Sequence, residues 1–199
     1  MSFVRTLVRP SLALAALVLG LAAQPALADE AMEKPINTLV KSVRFNKDDL
    51  ALKQLDSEAQ GQFLFGDDWA KAKPEQRTEF TALFQKLFAG IAFPKIRDNL
   101  QNLSTTLYEK PAITGDKAQI VSTIVIDHPL KKQEMKVRYE LHKAKEGWKV
   151  VDVMVLETGS KSMLTSVKDQ TDKLYQAGGW DNLLAKMRER ATKLPPAQK

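Results

Sequence analysis

Two neighbouring stretches decide the fold: Glu134-Met135-Lys136-Val137-Arg138-Tyr139-Glu140-Leu141-His142 and Trp148-Lys149-Val150-Val151-Asp152-Val153-Met154-Val155-Leu156-Glu157. In the first, Met135, Val137, Tyr139 and Leu141 alternate with charged or polar residues. That period of two marks a strand with one dry face and one wet face. Ala144 to Gly147 reads as a turn. The second stretch is apolar on both faces, with Val151, Val153 and Val155 on one and Trp148, Val150, Met154 and Leu156 on the other. Such a strand is expected to sit centrally, covered on both sides. Asp152 is expected to pair with a cross-strand base, Arg138 or Lys136.

Working outward, Thr105–Lys110 and Ala118–Asp127 also read as strands, separated by the turn Thr114-Gly115-Asp116. The rest is helical. Ile36, Leu39, Val40 and Val43 recur at helical spacing within Asp29–Asn46, with Pro35 limiting how early that helix starts. Ser57–Leu64 forms a short segment before a Gly66-Asp67-Asp68 turn. From Pro74, Phe80, Leu83, Phe84, Leu87, Phe88 and Ile91 make one wide apolar face. Pro94 is expected to end or kink that helix, with further helix through Ile96, Leu100 and Leu103. After Gly159, Met163, Val167, Leu174 and Tyr175 form a stripe that Gly178-Gly179 stops. Leu183, Leu184 and Met187 begin a last short helix, and Pro195-Pro196 opens a loose tail over 195–199.

The N-terminus has a different character. Arg5 and Arg9 precede an apolar run from Leu12 to Ala23, and Ala26-Leu27-Ala28 completes the order of a cleavable secretory signal. The run is shorter than the roughly 20 residues a bilayer-spanning helix needs. Removing 28 of the 199 residues leaves 171, and losing Arg5 and Arg9 lowers the formal charge from +6 to +4. The expected organisation is a signal at 1–28 and a single domain over 29–194. Nothing later reads as a second span.

Composition excludes several chemistries. There is no cysteine, hence no disulfide, thiolate metal site or cysteine nucleophile. Apolar residues make up 44% and charged residues 27%, which suits a folded domain rather than a disordered one. His128 and His142 have no Ser or Asp companion at a known catalytic spacing, and both read as surface histidines. No nucleophile-elbow, zincin, Walker or dinucleotide motif is present. The lysines are interleaved with acids, and Lys131-Lys132 is the densest cluster, so no nucleic-acid stripe forms despite a pI near 9.4.

The order of short motifs resembles one family, the MlaC or toluene-tolerance auxiliary proteins, which are periplasmic phospholipid carriers. Phe65-Gly66-Asp67-Asp68-Trp69 is similar to its Leu-Gly-x-x-Trp element. Pro74-Glu75-Gln76-Arg77 with Phe80, Phe84 and Leu87 resembles its first long helix. Gly147-Trp148-Lys149-Val150-Val151-Asp152-Val153 resembles its late strand, and Val155 to Ser160 the turn after it. Gly178-Gly179-Trp180-Asp181-Asn182-Leu183-Leu184 resembles its closing motif. One departure stands out: where the family carries an aromatic–arginine pair, this chain has Val167 and Lys168.

The resemblance implies an α+β fold, a bent antiparallel sheet flanked by N-terminal and C-terminal helices that enclose an apolar cleft, similar in architecture to nuclear-transport-factor-like folds. It implies a bound phospholipid, no cofactor and no covalent chemistry. The implied partners are an inner-membrane ABC transporter with its MCE-type subunit and an outer-membrane lipoprotein–porin complex. Burying a diacyl lipid saves tens of kcal/mol, at about 0.8 kcal/mol per methylene. The candidate wall is Phe84, Leu87, Phe88 and Ile91 from the helix, with Val137, Tyr139 and Leu141 from one strand and Val151, Val153 and Val155 from the next. Tyr139 is expected to place its hydroxyl near a cavity mouth. Two rivals stand beside it: an adaptor of the same fold that binds no lipid and has a filled interior, and an exported enzyme of the cystatin-like or nuclear-transport-factor-like sheet type using Asp152 or His142 in a cleft.

Overall fold

Alternation in Lys132–Ala144 (β4) and Gly147–Val155 (β5) produces a long antiparallel hairpin, turned at Gly147, whose φ of 115° favours glycine. The computed structural model describes residues 25–127, 131–156 and 161–195, the first four as backbone only. His128 and the Glu157–Ser160 turn lie outside the described residues. Leu103–Tyr108 (β1), Ala112–Thr114 (β2) and Lys117–Asp127 (β3) complete one antiparallel sheet in the order β1-β3-β4-β5, with β2 also paired to β3. The Thr114-Gly115-Asp116 turn is where the sequence places it, with Gly115 at φ 62°.

The second strand of the hairpin is not central. β5 ends the sheet, although both its faces are covered, one by the main core and the other by helices. Its outer edge is occupied near Val150, whose N–H donates to the Gln54 carbonyl and whose carbonyl accepts from the Asp56 N–H, at 2.8 and 2.9 Å. Two-faced apolarity reports covered faces; it says nothing about which edges are paired.

β5 also carries a bulge. Tyr139 pairs with Val153 and Glu140 with Asp152, but Leu141 pairs with Val150, so Val151 is the extra residue. The extra residue turns Val151 away from the face shared by Val150, Val153 and Val155. Gln60 Nε2 donates to its displaced carbonyl at 3.0 Å.

The helices form two groups. Pro25–Arg44 (α1) runs straight through Pro35, with Met32 and Ile36 fully buried around it, so the proline does not delay the helix. Asp48–Leu52 (α2), Ser57–Phe65 (α3) and Asp67–Lys71 (α4) follow. α2 and α4 are too short for periodicity to reveal. Pro74–Leu100 (α5) is a single helix that continues past Pro94. Phe93 and Leu100, both nearly fully buried, hold the segments on either side of that exposed proline to one core. This packing offsets the roughly 3 kcal/mol that an interior proline costs. Leu103 leaves the helix and opens β1 opposite Ile126.

Met163–Thr192 (α6) is broken at Gly178-Gly179, as the sequence indicates; Gly179 adopts φ 62°, ψ −154°, which only glycine tolerates. Two cores result. The inner face of the sheet packs on α1 and the later half of α5. The earlier half of α5 packs with α3, α4 and α6 in an aromatic cluster of Phe65, Trp69, Phe80, Phe84, Tyr175 and Trp180.

Candidate functional site

The first core is not filled. A cavity of about 330 Å³ lies between the inner face of the sheet, α1 and α5. α1 contributes Leu39, Val40 and Val43, and α5 contributes Phe88, Ala92, Phe93 and Ile96. The sheet contributes Ile124 from β3, Met135, Val137 and Tyr139 from β4, and Val153 and Val155 from β5. Met163, at the start of α6, closes one side.

The wall is almost wholly apolar. Asn99 and Lys161 are its polar side chains besides Tyr139, and Lys161 Nζ lies 2.5 Å from Asp169 Oδ2. Tyr139 does not stand at the mouth. It is 2% exposed, its hydroxyl lies 3.4 Å from Ser122 Oγ, and burial pushes its pKa up to about 12. It therefore stays a neutral phenol inside the wall, its oxygen accepting from the Ser122 hydroxyl.

Polar clamps outside the cavity fix the helices that frame it. Arg97 donates from Nε to the Val43 carbonyl at 2.9 Å and pairs with Asp48 at 2.7 Å. Arg44 donates to the Leu103 and Gln101 carbonyls. Tyr108, its pKa raised by burial and by the nearby Tyr139 and Glu33, donates to Asn37 Oδ1 at 2.9 Å. These contacts hold α1 against α5 and β1, so the space between them is bounded by fixed elements rather than loops.

A second apolar cleft, of about 300 Å³, lies between α5 and α6. Phe84, Leu87 and Ile91 line it from α5, and Val167 and Leu174 from α6, with Lys186 and Arg190 at its border. Phe88, Ala92 and Met163 line both spaces.

The ten residues singled out in the sequence thus divide. Val137, Tyr139, Val153 and Val155 face the sheet cavity, Phe88 faces both spaces, and Phe84, Leu87 and Ile91 face the helical cleft. Leu141 is buried in the sheet core but borders neither space. Val151, turned by the bulge, packs against the aromatic cluster. The α1 stripe and Met163 are lining residues that sequence reasoning does not single out; their helical spacing is visible, but spacing does not tell which cores are hollow.

Asp152 does not pair with Arg138 or Lys136. Its cross-strand partner is Glu140, and Arg138 pairs with Glu140 instead. The buried Asp152 Oδ1 accepts the N–H of Val153 at 2.8 Å and that of Leu164, in the first turn of α6, at 2.9 Å. It borders a more polar cleft of about 380 Å³ between the outer face of the sheet, α3 and the start of α6, with Phe63, Arg138, Ser162 and Thr165. His142 has carboxylate companions after all. Its Nδ1 lies 2.7 Å from Asp56 Oδ2 and its Nε2 3.5 Å from Asp116 Oδ2. Asp56 also caps α3 by accepting the Ala59 N–H. Both groups therefore join elements together, and neither borders an apolar space with a nucleophile beside it.

Among the described residues no cluster of His, Asp and Glu has the makings of a metal site, and no helix is long and apolar enough to cross a membrane. Lys168 donates to the Leu64 carbonyl at 2.6 Å and pairs with Asp172, tying α6 to α3.

Comparison with known proteins agrees with this architecture. A phospholipid-binding protein from Ralstonia solanacearum, solved in complex with a phospholipid, superposes with a TM-score of 0.64 at 18% identity, covering 83% of this chain and 97% of that one. At that identity the likeness shows the fold. A SEC-C motif containing protein from Rhodopseudomonas palustris reaches a TM-score of 0.39 at 13% identity over 67% of this chain and 88% of its own, too low to carry an argument. No curated protein matches significantly. The family described as MlaC protein matches residues 28–189, spanning the sheet, both cores and nearly all of α6. The chain belongs to the MlaC family.

Proposed function

We propose that this protein is a periplasmic phospholipid carrier, which takes lipid from one membrane complex and delivers it to another without covalent chemistry. The observation that carries this reading is the apolar cavity between the sheet, α1 and α5. A space of that kind, lined by aliphatic and aromatic side chains with few polar groups, suits an acyl chain. An adaptor that binds no lipid has no use for an unfilled core, since each void forfeits packing energy.

In this reading Phe88, Val137, Tyr139, Val153 and Val155 form the wall, and the headgroup stays at the rim beside Lys161. Leu141 and Val151 support the sheet without touching lipid. The N-terminal signal directs export and is removed after Ala28. The donor and acceptor are an outer-membrane lipoprotein–porin complex and an inner-membrane ABC transporter with an MCE-type subunit. The support for the partners is family membership.

The test is lipid loading of cavity variants. Val153→Trp projects an indole into the cavity from a half-buried strand position, and Phe88→Glu places a carboxylate on the wall. Both should lower phospholipid uptake from vesicles while far-UV circular dichroism stays native. Unchanged occupancy in both variants overturns the wall assignment.

A further inference from the structure

The sheet cavity is small for the cargo assigned to it. A methylene is close in size to a water molecule, whose share of the liquid is about 30 Å³, so about 330 Å³ holds on the order of ten methylenes. That is less than one long acyl chain, and a diacyl lipid brings two. The α5–α6 cleft adds a space of nearly the same size, about 300 Å³.

The two spaces are neighbours with a shared partition. Phe88 and Ala92, one turn apart on α5, and Met163 at the start of α6 border both. Both spaces also reach the N-terminal end of α6: Lys161, just before the helix, lines the sheet cavity, Ser166 and Val167 line the helical cleft, and Met163 lines both. A molecule with two chains joined at one end can straddle such a partition, whereas a single chain fills one side. Methionine is unbranched and conformationally adaptable, which suits a partition that must yield to a branch point.

We propose that the α5–α6 cleft is a second acyl-chain chamber, so that the two chains of one lipid lie on opposite sides of the Phe88–Ala92–Met163 partition. The glycerol branch then sits over Met163, with the phosphate within reach of Lys161. This inference rests on the carrier reading. It assigns the helical cleft a ligand, and it makes the partition the feature that selects two-chain over one-chain lipids.

The test uses two variants that narrow only the second chamber. Gln170 is exposed and lines the helical cleft alone, so Gln170→Trp intrudes there at little risk to folding. Ile91→Trp does the same from α5 at a half-buried position. The purified protein and both variants are incubated with palmitoyl-oleoyl phosphatidylglycerol in vesicles and, separately, with palmitoyl lysophosphatidylglycerol. Bound lipid is counted by native mass spectrometry.

Leaving even two methylenes in water weakens binding by about tenfold. Diacyl loading should therefore fall at least that far in both variants, with lysolipid loading within a few-fold of the parent protein. Diacyl loading that is unchanged in both variants overturns the second chamber. So does an equal fall for both lipids with the thermal midpoint unaltered. If the parent protein takes up neither lipid, the carrier reading itself fails, and the chamber with it.

Discussion

Asp152 makes a sharp prediction, because one buried carboxylate oxygen joins the sheet to the helix that borders both apolar spaces. Its Oδ1 accepts the Val153 and Leu164 N–H groups. Asp152→Ala leaves both donors without that acceptor, and a buried unsatisfied N–H costs about 1–3 kcal/mol. It also removes a negative charge from the start of α6, worth about 0.3–1 kcal/mol. The half-buried Val153 regains part of its loss through water, so the expected cost is about 2–5 kcal/mol. For a chain of this size each kcal/mol shifts the thermal midpoint by about 2–4 °C, which gives a fall of about 4–20 °C. Asp152→Asn keeps an oxygen acceptor and loses only the charge, so its cost is about 1 kcal/mol. The assay is thermal unfolding by circular dichroism, with urea unfolding as a second measure. An Asp152→Ala midpoint within about 1 °C of the parent refutes the reasoning, because it means the two N–H groups find other partners at no cost.

Further expectations test the packing around the site. A Cβ at Gly61 would lie 2.4 Å from the ring of the buried Trp69, so Gly61→Ala should destabilise by about 1–3 kcal/mol despite alanine's helix propensity, read as a lower urea midpoint. Gly179→Ala should cost a similar 1–3 kcal/mol or so through backbone strain alone, because nothing beyond its chain neighbours lies within 4 Å of where a Cβ would stand. Alkaline titration gives a third check. Burial raises the Tyr139 pKa from 10.0 to about 12, so its contribution to stability is fully present below pH 10 and is lost as the pH rises toward 12. Tyrosinate absorbance should show Tyr139 ionising late, and Tyr139→Phe should flatten the stability decline in that window.

Particular residues show what the sequence could carry. The alternation from Met135 to Leu141, the Gly115 turn and the Gly178-Gly179 break appear in the structure as read, because each depends on local period or on a conformation that only glycine takes freely. Pro35 and Pro94 mislead. A proline's cost is local, but the burial of Met32, Ile36, Phe93 and Leu100 that offsets it depends on distant parts of the chain. Val151 shows a third limit. One inserted residue reverses the face of a side chain, and alternation read along a single strand does not reveal the partner's register.

The site divides along the same line. Eight of the ten wall candidates do border an apolar space, since an amphipathic face points inward whether or not the interior is filled. Which face encloses a void, and that α1 and Met163 share in it, follows from how three helices meet the sheet. The partners of Asp152 and His142 escape a sequence reading for a related reason. The Leu164 N–H lies beyond the next turn, and Asp56 is far away in sequence; neither spacing has a signature.

The central claim is that the hollow between sheet and helices carries lipid. The most direct measurement is organic extraction of the gently purified protein from its native compartment, followed by mass spectrometry and quantitation against protein. A carrier yields co-purified phospholipid with two acyl chains, near one molecule per chain. A stoichiometrically empty protein contradicts the claim.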